Sequence, residues 1–393
     1  MFASIPEILD ELRAGRFVVL VDDEDRENEG DLVLAAEFAT PENIHLMQRL
    51  AGGYLCLSLT EADCERLSLP PQAADNTSVR GTPFTVSIDA HPRHGVSTGV
   101  SAFDRAKTVA LAIDPGSTPA DFVRPGHINP LRSRDGGVLV RTGQTEGSVD
   151  LCRLAGLRPA ALIIEIVRAD GRMARRPDLE RLCGEHGWKM CSVEQLIAHR
   201  LQTDSLVERL EPARGTLLRT ALGEFNLIAF RSVVDPLPHV ALTVGGVGDL
   251  DERGRVRRGE EPTLVRMHRR NLLGDVFLDA GSSPEGPTAW SLHASMRAIQ
   301  RAGRGAVVYL RTHGQDDDSL EHRLQMPFQR AGSESFTAAG LRMDLREYGI
   351  GGQILRALGL SRLRLLSNHP RALPGLEAFG LEIVEHVSVS SGE

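Results

Sequence analysis

Residues 22–31 read Asp-Asp-Glu-Asp-Arg-Glu-Asn-Glu-Gly-Asp, seven carboxylates and one guanidinium in ten positions. They follow directly on the apolar run Phe17-Val18-Val19-Leu20-Val21. A short valine-rich run of this kind predicts a buried strand, so the carboxylates fall where a strand ends. Folded backbone can carry that much negative charge in two ways. The run can be a solvated turn, the usual fate of a charge run. Alternatively, a cation or substrate relieves a repulsion that fixed, desolvated carboxylates would otherwise suffer. An oxygen-only cluster suits a hard divalent ion such as Mg²⁺ or Mn²⁺.

The chain has 393 residues, a length that predicts two domains, each able to bury a sizeable core. Its formal net charge of −8 argues against a broad nucleic-acid footprint. No apolar run approaches the roughly 18–20 residues that span a membrane. The stretch from Met1 to Gly15 carries acids and helical periodicity rather than the pattern of a secretory leader, and a cytoplasmic protein is expected. All five cysteines (Cys56, Cys64, Cys152, Cys183, Cys191) lie in the first half, and none forms a CxxC pair. They read as small buried apolar groups rather than a disulfide framework. The second half has no thiol, so a thiolate zinc site cannot form there.

Short β-rich runs alternate with helical stretches along residues 1–202. Strands are expected at 17–21, 54–59, 84–88, 137–141 and 161–167. Helices are expected at 5–14, with Pro6 in its first turn, and at 101–112, where Ser101 and Asp104 form a capping signature. Residues 203–215 are polar, contain Pro212 and Gly215, and read as a linker. In 216–393, strands are expected at 225–230, 239–244, 305–310 and 362–366, with helices at 294–302 and 352–358; 387–393 should fray. Mixed strands and helices make both halves α+β.

Further segments carry possible chemistry. Gly95-Val96-Ser97-Thr98-Gly99-Val100-Ser101 leads into the Ser101 helix, where glycines and hydroxyls can cradle a phosphate or form an ordinary cap. His127, in Arg124-Pro125-Gly126-His127, sits on a Pro-Gly turn where it can move protons near neutral pH or simply face water. Arg141 and Thr145, in Arg141-Thr142-Gly143-Gln144-Thr145-Glu146-Gly147 at a strand end, can grip a phosphate with the loop amides or form a polar turn. Glu165, inside an apolar run, is costly unless it is paired or functional; a structural ion pair is the alternative. Taken together, these parts suit enolisation of a phosphorylated sugar. A divalent ion on adjacent sugar oxygens stabilises the enediolate while carboxylates and a histidine move protons.

The ordered motifs DDEDRENEGD (22–31), TPFTVSID (82–89), GVSTGVSAFDRA (95–106), RPGH (124–127), GGVLVRTGQTEGSVDLCRLAGLRPA (136–160) and EI (165–166) make residues 1–202 resemble the 3,4-dihydroxy-2-butanone-4-phosphate synthase family. The resemblance implies conversion of ribulose 5-phosphate to the four-carbon phosphate and formate with Mg²⁺ or Mn²⁺, on an α+β homodimer with sites near the subunit interface. By motif position it implies that Glu27 binds metal, that Arg26 and Asp31 contact substrate, and that Arg141 and Thr145 hold the phosphate. Turnover would depend on His127 and Glu165. The family usually has a metal-binding histidine where this chain has Gln144. A glutamine carbonyl is a legitimate hard oxygen donor for Mg²⁺, but it moves no proton, so retained but altered metal use is expected.

Residues 206–387 resemble GTP cyclohydrolase II through LVRMHRRNLLGDVF (264–277), AVVYLR (306–311), DLREYGIGGQIL (344–355) and LRLLSNHP (363–370). That family opens the imidazole ring of GTP with a zinc ion held by three cysteines. Here the first cysteine position is Asn271, and the other two fall in Gly281-Ser282-Ser283-Pro284. Zinc favours thiolate and imidazole over neutral hydroxyl and amide, so zinc is not expected. After Arg311 the family's substrate-binding run is replaced by the acidic Thr312-His313-Gly314-Gln315-Asp316-Asp317-Asp318, which should repel a triphosphate. Asp344 and Arg346 match the family's proton acceptor and arginine nucleophile, and here read as scaffold. His268, His293, His313 and His322 read as surface residues.

The leading expectation is a synthase joined to a degenerate cyclohydrolase-like domain at 216–393. A bifunctional enzyme with unusual zinc ligands, and a regulatory protein that has lost both activities, are the alternatives. Gln144→His is expected to change metal affinity, turnover or both. Metal titration and formate release that both stay at wild-type values would remove residue 144 from metal use.

Overall fold

The computed structural model describes residues 2–23, 26–78, 81–232, 237–283, 285–311, 345–368 and 380–389. The chain divides into two compact units, Met1–His199 and Arg200–Glu393.

In chain order the first unit contains α1 (Ile5–Arg13), β1 (Val18–Val21), β2 (Gly30–Ala35), α2 (Pro41–Ala51), β3 (Cys56–Leu59), α3 (Glu61–Arg66), β4 (Ile88–Ala90), α4 (Ala102–Ile113), β5 (Phe122–Arg132), α5 (Gln144–Leu154), β6 (Ala161–Glu165), α6 (Arg176–His186), β7 (Lys189–Ser192) and the start of α7 (Val193–Thr203). Local chemistry sets several of these starts. Ser4 and Glu7 close a capping box on α1, and Thr40 Oγ1 accepts Asn43 N ahead of Pro41 on α2. Ser101 Oγ accepts Asp104 N at the start of α4.

Among the described residues the strands form one sheet in the order β4-β5-β3-β6-β2-β1-β7. The pairs β1/β7 and β3/β5 are parallel and the other neighbours antiparallel. Strand periodicity assigns the two faces. Val19, Leu32 and Ile164 lie side by side on one face and join a fully apolar core with Ile44 and Met47 of α2 and Val109 of α4. The opposite face carries Leu20, then Asp31, then Glu165 in register. Helices α1 and α5 pack over that second face. Gly147 allows α5 to approach closely, since a Cβ there would stand 2.7 Å from Leu20 Cδ2.

Three expectations need correction. Residues 137–141 are not a strand: Gly136 and Gly137 take left-handed φ of 89° and 62°, and Gly137–Leu139 forms a 3-10 turn. The Asp150 carboxylate holds that turn by accepting Val138 N at 2.8 Å. Residues 84–88 make only isolated bridges before β4. His127 lies within strand β5 rather than on a free turn. Periodicity alone does not separate a glycine-led turn from a strand when both are apolar.

The second unit runs β8 (Val207–Arg209), β9 (Thr216–Thr220), β10 (Gly223–Ser232), β11 (His239–Val244), β12 (Thr263–Arg269), α8 (Leu272–Val276), α9 (Thr288–Ala302), β13 (Gly305–Leu310), α10 (Leu345–Ala357), β14 (Arg362–Leu366) and β15 (Glu382–Val387). Strand β8 falls inside the stretch read as a linker. The sheet order is β15-β14-β12-β13-β11-β10-β8, with β9 paired to β10. Met296 and Ile299 of α9 pack against Phe225, Leu264 and Val307 of the sheet. Both units are α+β. Among the described residues no helix is long and apolar enough to cross a membrane.

Replacing Gly147 by valine should force α5 away from Leu20. Overpacking of this kind costs about 1–3 kcal/mol, so the first unit of Gly147→Val should melt earlier in a thermal scan. An unchanged melting temperature would show that the close approach is dispensable.

Candidate active site

Strand directions gather the polar groups at one end of the sheet. The end of β1, the start of β2, the end of β6, the start of β3 and the residues of β5 around 127–129 all lie at that end, because neighbours along this path alternate as the registers require. Asp31 of β2 stands opposite Glu165 of β6. Tyr54, just before β3, bridges onward: its N–H donates to Glu165 Oε2 at 2.7 Å and its hydroxyl to Asn129 Oδ1 at 2.7 Å. His127 precedes Asn129 by two residues, in the stretch of β5 that is out of register with β4. Gly53 makes room for the carboxylate, as a Cβ there would lie 2.7 Å from Glu165 Oε2. Glu165 thus ends its strand, partly exposed, between the buried Ile164 and Ile166.

Asp31 is 5% exposed. Burial first, then the charges of Glu165, Asp22, Glu27 and Glu29, push its carboxyl well above the usual range. Glu29 is raised too, by burial and then by the Glu27 charge. A resting site with this bias calls for positive charge.

The acidic loop is organised around Asp22. Its carboxylate accepts Glu27 N at 3.0 Å and Glu29 N at 2.8 Å, while Arg175 Nη1 donates to the Glu27 and Asn28 carbonyls. Arg26 Nη1 lies 2.7 Å from Asp22 Oδ2, 2.9 Å from Glu27 Oε2 and 3.0 Å from Gln144 Oε1. Two carboxylates and an amide oxygen therefore converge on one cationic nitrogen. This hard-oxygen donor set fits Mg²⁺ or Mn²⁺ in kind. Among the described residues no three His, Cys, Asp or Glu side chains form a ready cluster for a metal. Glu24 and Asp25 of the acidic run lie outside the described residues.

Gln144 and Thr145 open α5, and both are buried. Gly143 precedes the helix; a Cβ on it would stand 2.4 Å from Arg141 Nη1. Arg141 pairs with Glu146 at 2.7 Å. Burial raises the Glu146 carboxyl despite that arginine. Arg141 thus reaches the α5 N-terminus from a turn and not from a strand end. The loop 95–101 is an ordinary cap: Ser97 N and Gly99 N both donate to the Asp104 carboxylate, at 3.1 Å each, so these amides are already used. His127 faces Asp89, with Nδ1 2.7 Å from Oδ2. Asp22, Tyr54, Asp89, Glu146 and Arg175 were not singled out individually from sequence. Asp22, Asp89 and Glu146 lay inside quoted motifs; Tyr54 and Arg175 did not.

In the second unit the positions compared with zinc ligands have other partners. Asn271 caps α8, its Oδ1 accepting Gly274 N at 2.8 Å. Ser282 Oγ accepts Thr288 N at 3.1 Å, and Ser283 Oγ donates to the Gly286 carbonyl at 2.6 Å. The centre of the region is Asp275, which meets His268 Nε2 at 3.0 Å, Thr288 Oγ1 at 2.6 Å, Tyr309 OH at 2.7 Å and Asn271 N at 2.9 Å. Burial would raise Asp275, but His268 and the other donors hold it below its ordinary value. His268 is 3% exposed, not a surface residue as expected, because Asp275 and a stacked Tyr309 enclose it. His293 is exposed. Amide and hydroxyl donors already engaged in caps do not fit zinc. Pro284, residues 312–318, His322, Asp344 and the Arg346 side chain lie outside the described residues.

All five cysteines are buried and unpaired; burial pushes Cys64, Cys152 and Cys191 up to about 12, so none is poised as a thiolate.

Two families match the chain: 3,4-dihydroxy-2-butanone 4-phosphate synthase over residues 6–199 and GTP cyclohydrolase II over residues 211–388. The fold is thus that of a synthase domain fused to a cyclohydrolase II domain. Riboflavin biosynthesis protein RibBA of Aquifex aeolicus (strain VF5) is 44% identical over 394 residues, covering 99% of this chain and 92% of that protein. The crystal structure of RibBX from A. baumannii, described as a two domain 3,4-dihydroxy-2-butanone 4-phosphate synthase, is 34% identical with a TM-score of 0.77 and covers 99% of this chain and all of that one. A 3,4-dihydroxy-2-butanone 4-phosphate synthase in complex with two magnesium ions is 42% identical with a TM-score of 0.50, covering 52% of this chain and 99% of that one. The chain belongs to the RibBA family of riboflavin-biosynthesis proteins.

The raised Asp31 carboxyl makes a signed prediction. Its stabilising contribution is complete below about pH 4, the unfolded value, and is lost as pH rises through the raised folded value. Without divalent ion near pH 7, Asp31→Asn should raise the melting temperature of the first unit by about 2 °C or more, the shift that ~1 kcal/mol produces in a domain of this size. The gain should shrink towards pH 4. Identical melting curves across that range would contradict the assignment.

Proposed function

We propose that the first unit is a working 3,4-dihydroxy-2-butanone 4-phosphate synthase that converts D-ribulose 5-phosphate to the four-carbon phosphate and formate. The observation that carries this reading is the pairing of Asp31 with Glu165 at one end of the sheet, next to an acidic loop whose Arg26 meets Gln144 at the N-terminus of α5. In this reading Arg141, Thr145 and the first amides of α5 hold the substrate phosphate. Arg26 and Asp31 contact the sugar, and His127 and Glu165 move protons at its carbons and hydroxyls. Tyr54 N keeps the Glu165 carboxylate aimed. Glu27 and Gln144 would hold the divalent ion, with the other acids of the loop adding to the field around it. When bound, that ion stabilises negative charge developing on adjacent sugar oxygens. A cytoplasmic homodimer using Mg²⁺ or Mn²⁺ belongs to the same proposal.

The second unit, in this reading, does not open GTP. Support comes from the capping bonds of Asn271 and Ser282 and from the absence of cysteine beyond residue 191. The match to GTP cyclohydrolase II over residues 211–388 favours a second reading, a bifunctional enzyme with atypical metal ligands.

One preparation of the full chain tests both. Formate should be released from ribulose 5-phosphate only with Mg²⁺ or Mn²⁺, and Glu27→Ala should lower that rate at least 100-fold, about the loss of one electrostatic contact in a transition state. No formate should come from GTP. Metal-independent or absent turnover of ribulose 5-phosphate would sink the first reading; formate from GTP with about one zinc per chain would establish the second.

A further inference from the structure

The hydrogen-bond register between β4 and β5 slips at one point: Ile88 stands opposite Ile128, but Asp89 stands opposite Val123. Residues 124–127 are therefore thrown out of the ladder beside Asp89. Two bonds pin them there, from Gly126 N to Ser87 Oγ at 3.1 Å and from His127 N to Asp89 Oδ1 at 2.8 Å. The second carboxylate oxygen, Oδ2, lies 2.7 Å from His127 Nδ1. One aspartate thus takes the backbone N–H and a ring nitrogen of the same histidine.

The two partners differ in exposure. The Asp89 side chain is 9% exposed and that of His127 is 43% exposed, so the anchor is buried and the ring reaches outward. The carboxylate lies against the Gly99 backbone, and the Gly126 backbone lies against that of Ile88. A Cβ at Gly99 would stand 2.0 Å from Asp89 Oδ2, and one at Gly126 would stand 2.0 Å from the Ile88 carbonyl carbon. Gly99 is itself tied to Asp104.

We infer that Asp89 is a positioning residue that fixes the tautomer and direction of His127. An ionised carboxylate only accepts hydrogen bonds, so Nδ1 carries the proton and the neutral ring presents its lone pair at Nε2. This rests on the reading of His127 as a proton-moving group. In that role a sugar C–H bond breaks, its electron pair stays on the sugar as the enediolate, and the proton forms the new Nε2–H bond. The resulting imidazolium is held by the Asp89 charge. This is the arrangement of a base oriented by a third group. The slipped register builds it at the polar end of the sheet.

The test uses the full chain with Mg²⁺, in wild type, Asp89→Asn, Gly99→Ala and His127→Gln. Nitrogen-15 spectra of histidine-labelled protein read the tautomer, and the resonance missing from His127→Gln identifies the ring. Wild type should show Nδ1–H; Asp89→Asn should shift the ring towards Nε2–H. Its kcat should fall about 100-fold with KM changed less than about threefold. Gly99→Ala leaves residue 89 charged but displaces it, and should move tautomer and kcat the same way, which covers the case in which Asp89→Asn folds poorly. An unchanged tautomer in both variants, or a raised KM at constant kcat, overturns the inference. Full turnover in His127→Gln overturns the underlying reading instead, and the tautomer measurement still reports on Asp89.

Discussion

The first unit turns on one cross-strand pair. Asp31 and Glu165 face each other on adjacent antiparallel strands, a placement that is destabilising for like charges. The same register puts Leu32 beside Ile164 on the other face, inside a wholly apolar core. A slip of one residue would carry every side chain of β2 to the opposite face. The hydrophobic core therefore forces the two carboxylates together, and their repulsion is a cost borne by the packing beneath them. That cost creates the demand for positive charge at the end of the sheet.

Arg26 answers part of that demand. Its guanidinium nitrogen stands among Asp22, Glu27 and Gln144, where a hard cation would find the same oxygens. The loop can present these groups because Asp22 also accepts two loop amides and Arg175 clamps the carbonyls of residues 27 and 28. Asp22 thus serves the loop as scaffold as well as facing Arg26, a role invisible in composition. The second unit meets a similar problem differently: a single buried carboxylate, Asp275, is surrounded by a histidine, a threonine, a tyrosine and a backbone amide. Full hydrogen bonding makes such a group tolerable without a metal.

Much of the architecture was legible from the sequence. The helix at 5–13 follows from its apolar spacing and Pro6, the start at Ser101 from a side-chain cap acting over three residues, and apolar runs such as 161–165 and 305–310 are long enough to mark strands; the Thr40-capped helix at 41–51 was not expected. The residues of the site were legible mainly through ordered motifs. The misreadings share one cause. The turn at 137–139, the placement of His127 within the span of a strand and the burial of His268 each depend on a tertiary partner, respectively Asp150, Asp89 and the stacked Tyr309. Local periodicity carries no trace of those partners.

The sequence by itself determined the α+β character of both halves, the lack of thiols after residue 191 and the concentration of carboxylates at 22–31, because these are properties of residue type and short-range order. Tertiary structure alone decided what the carboxylates do. Strand register set Asp31 against Glu165, the loop fold turned Asp22 inward, and the slipped pairing of β4 with β5 seated His127 on Asp89. The first and the last are contacts between residues far apart in the chain, where the competition among burial, charge and hydrogen bonding is resolved only once the core has formed.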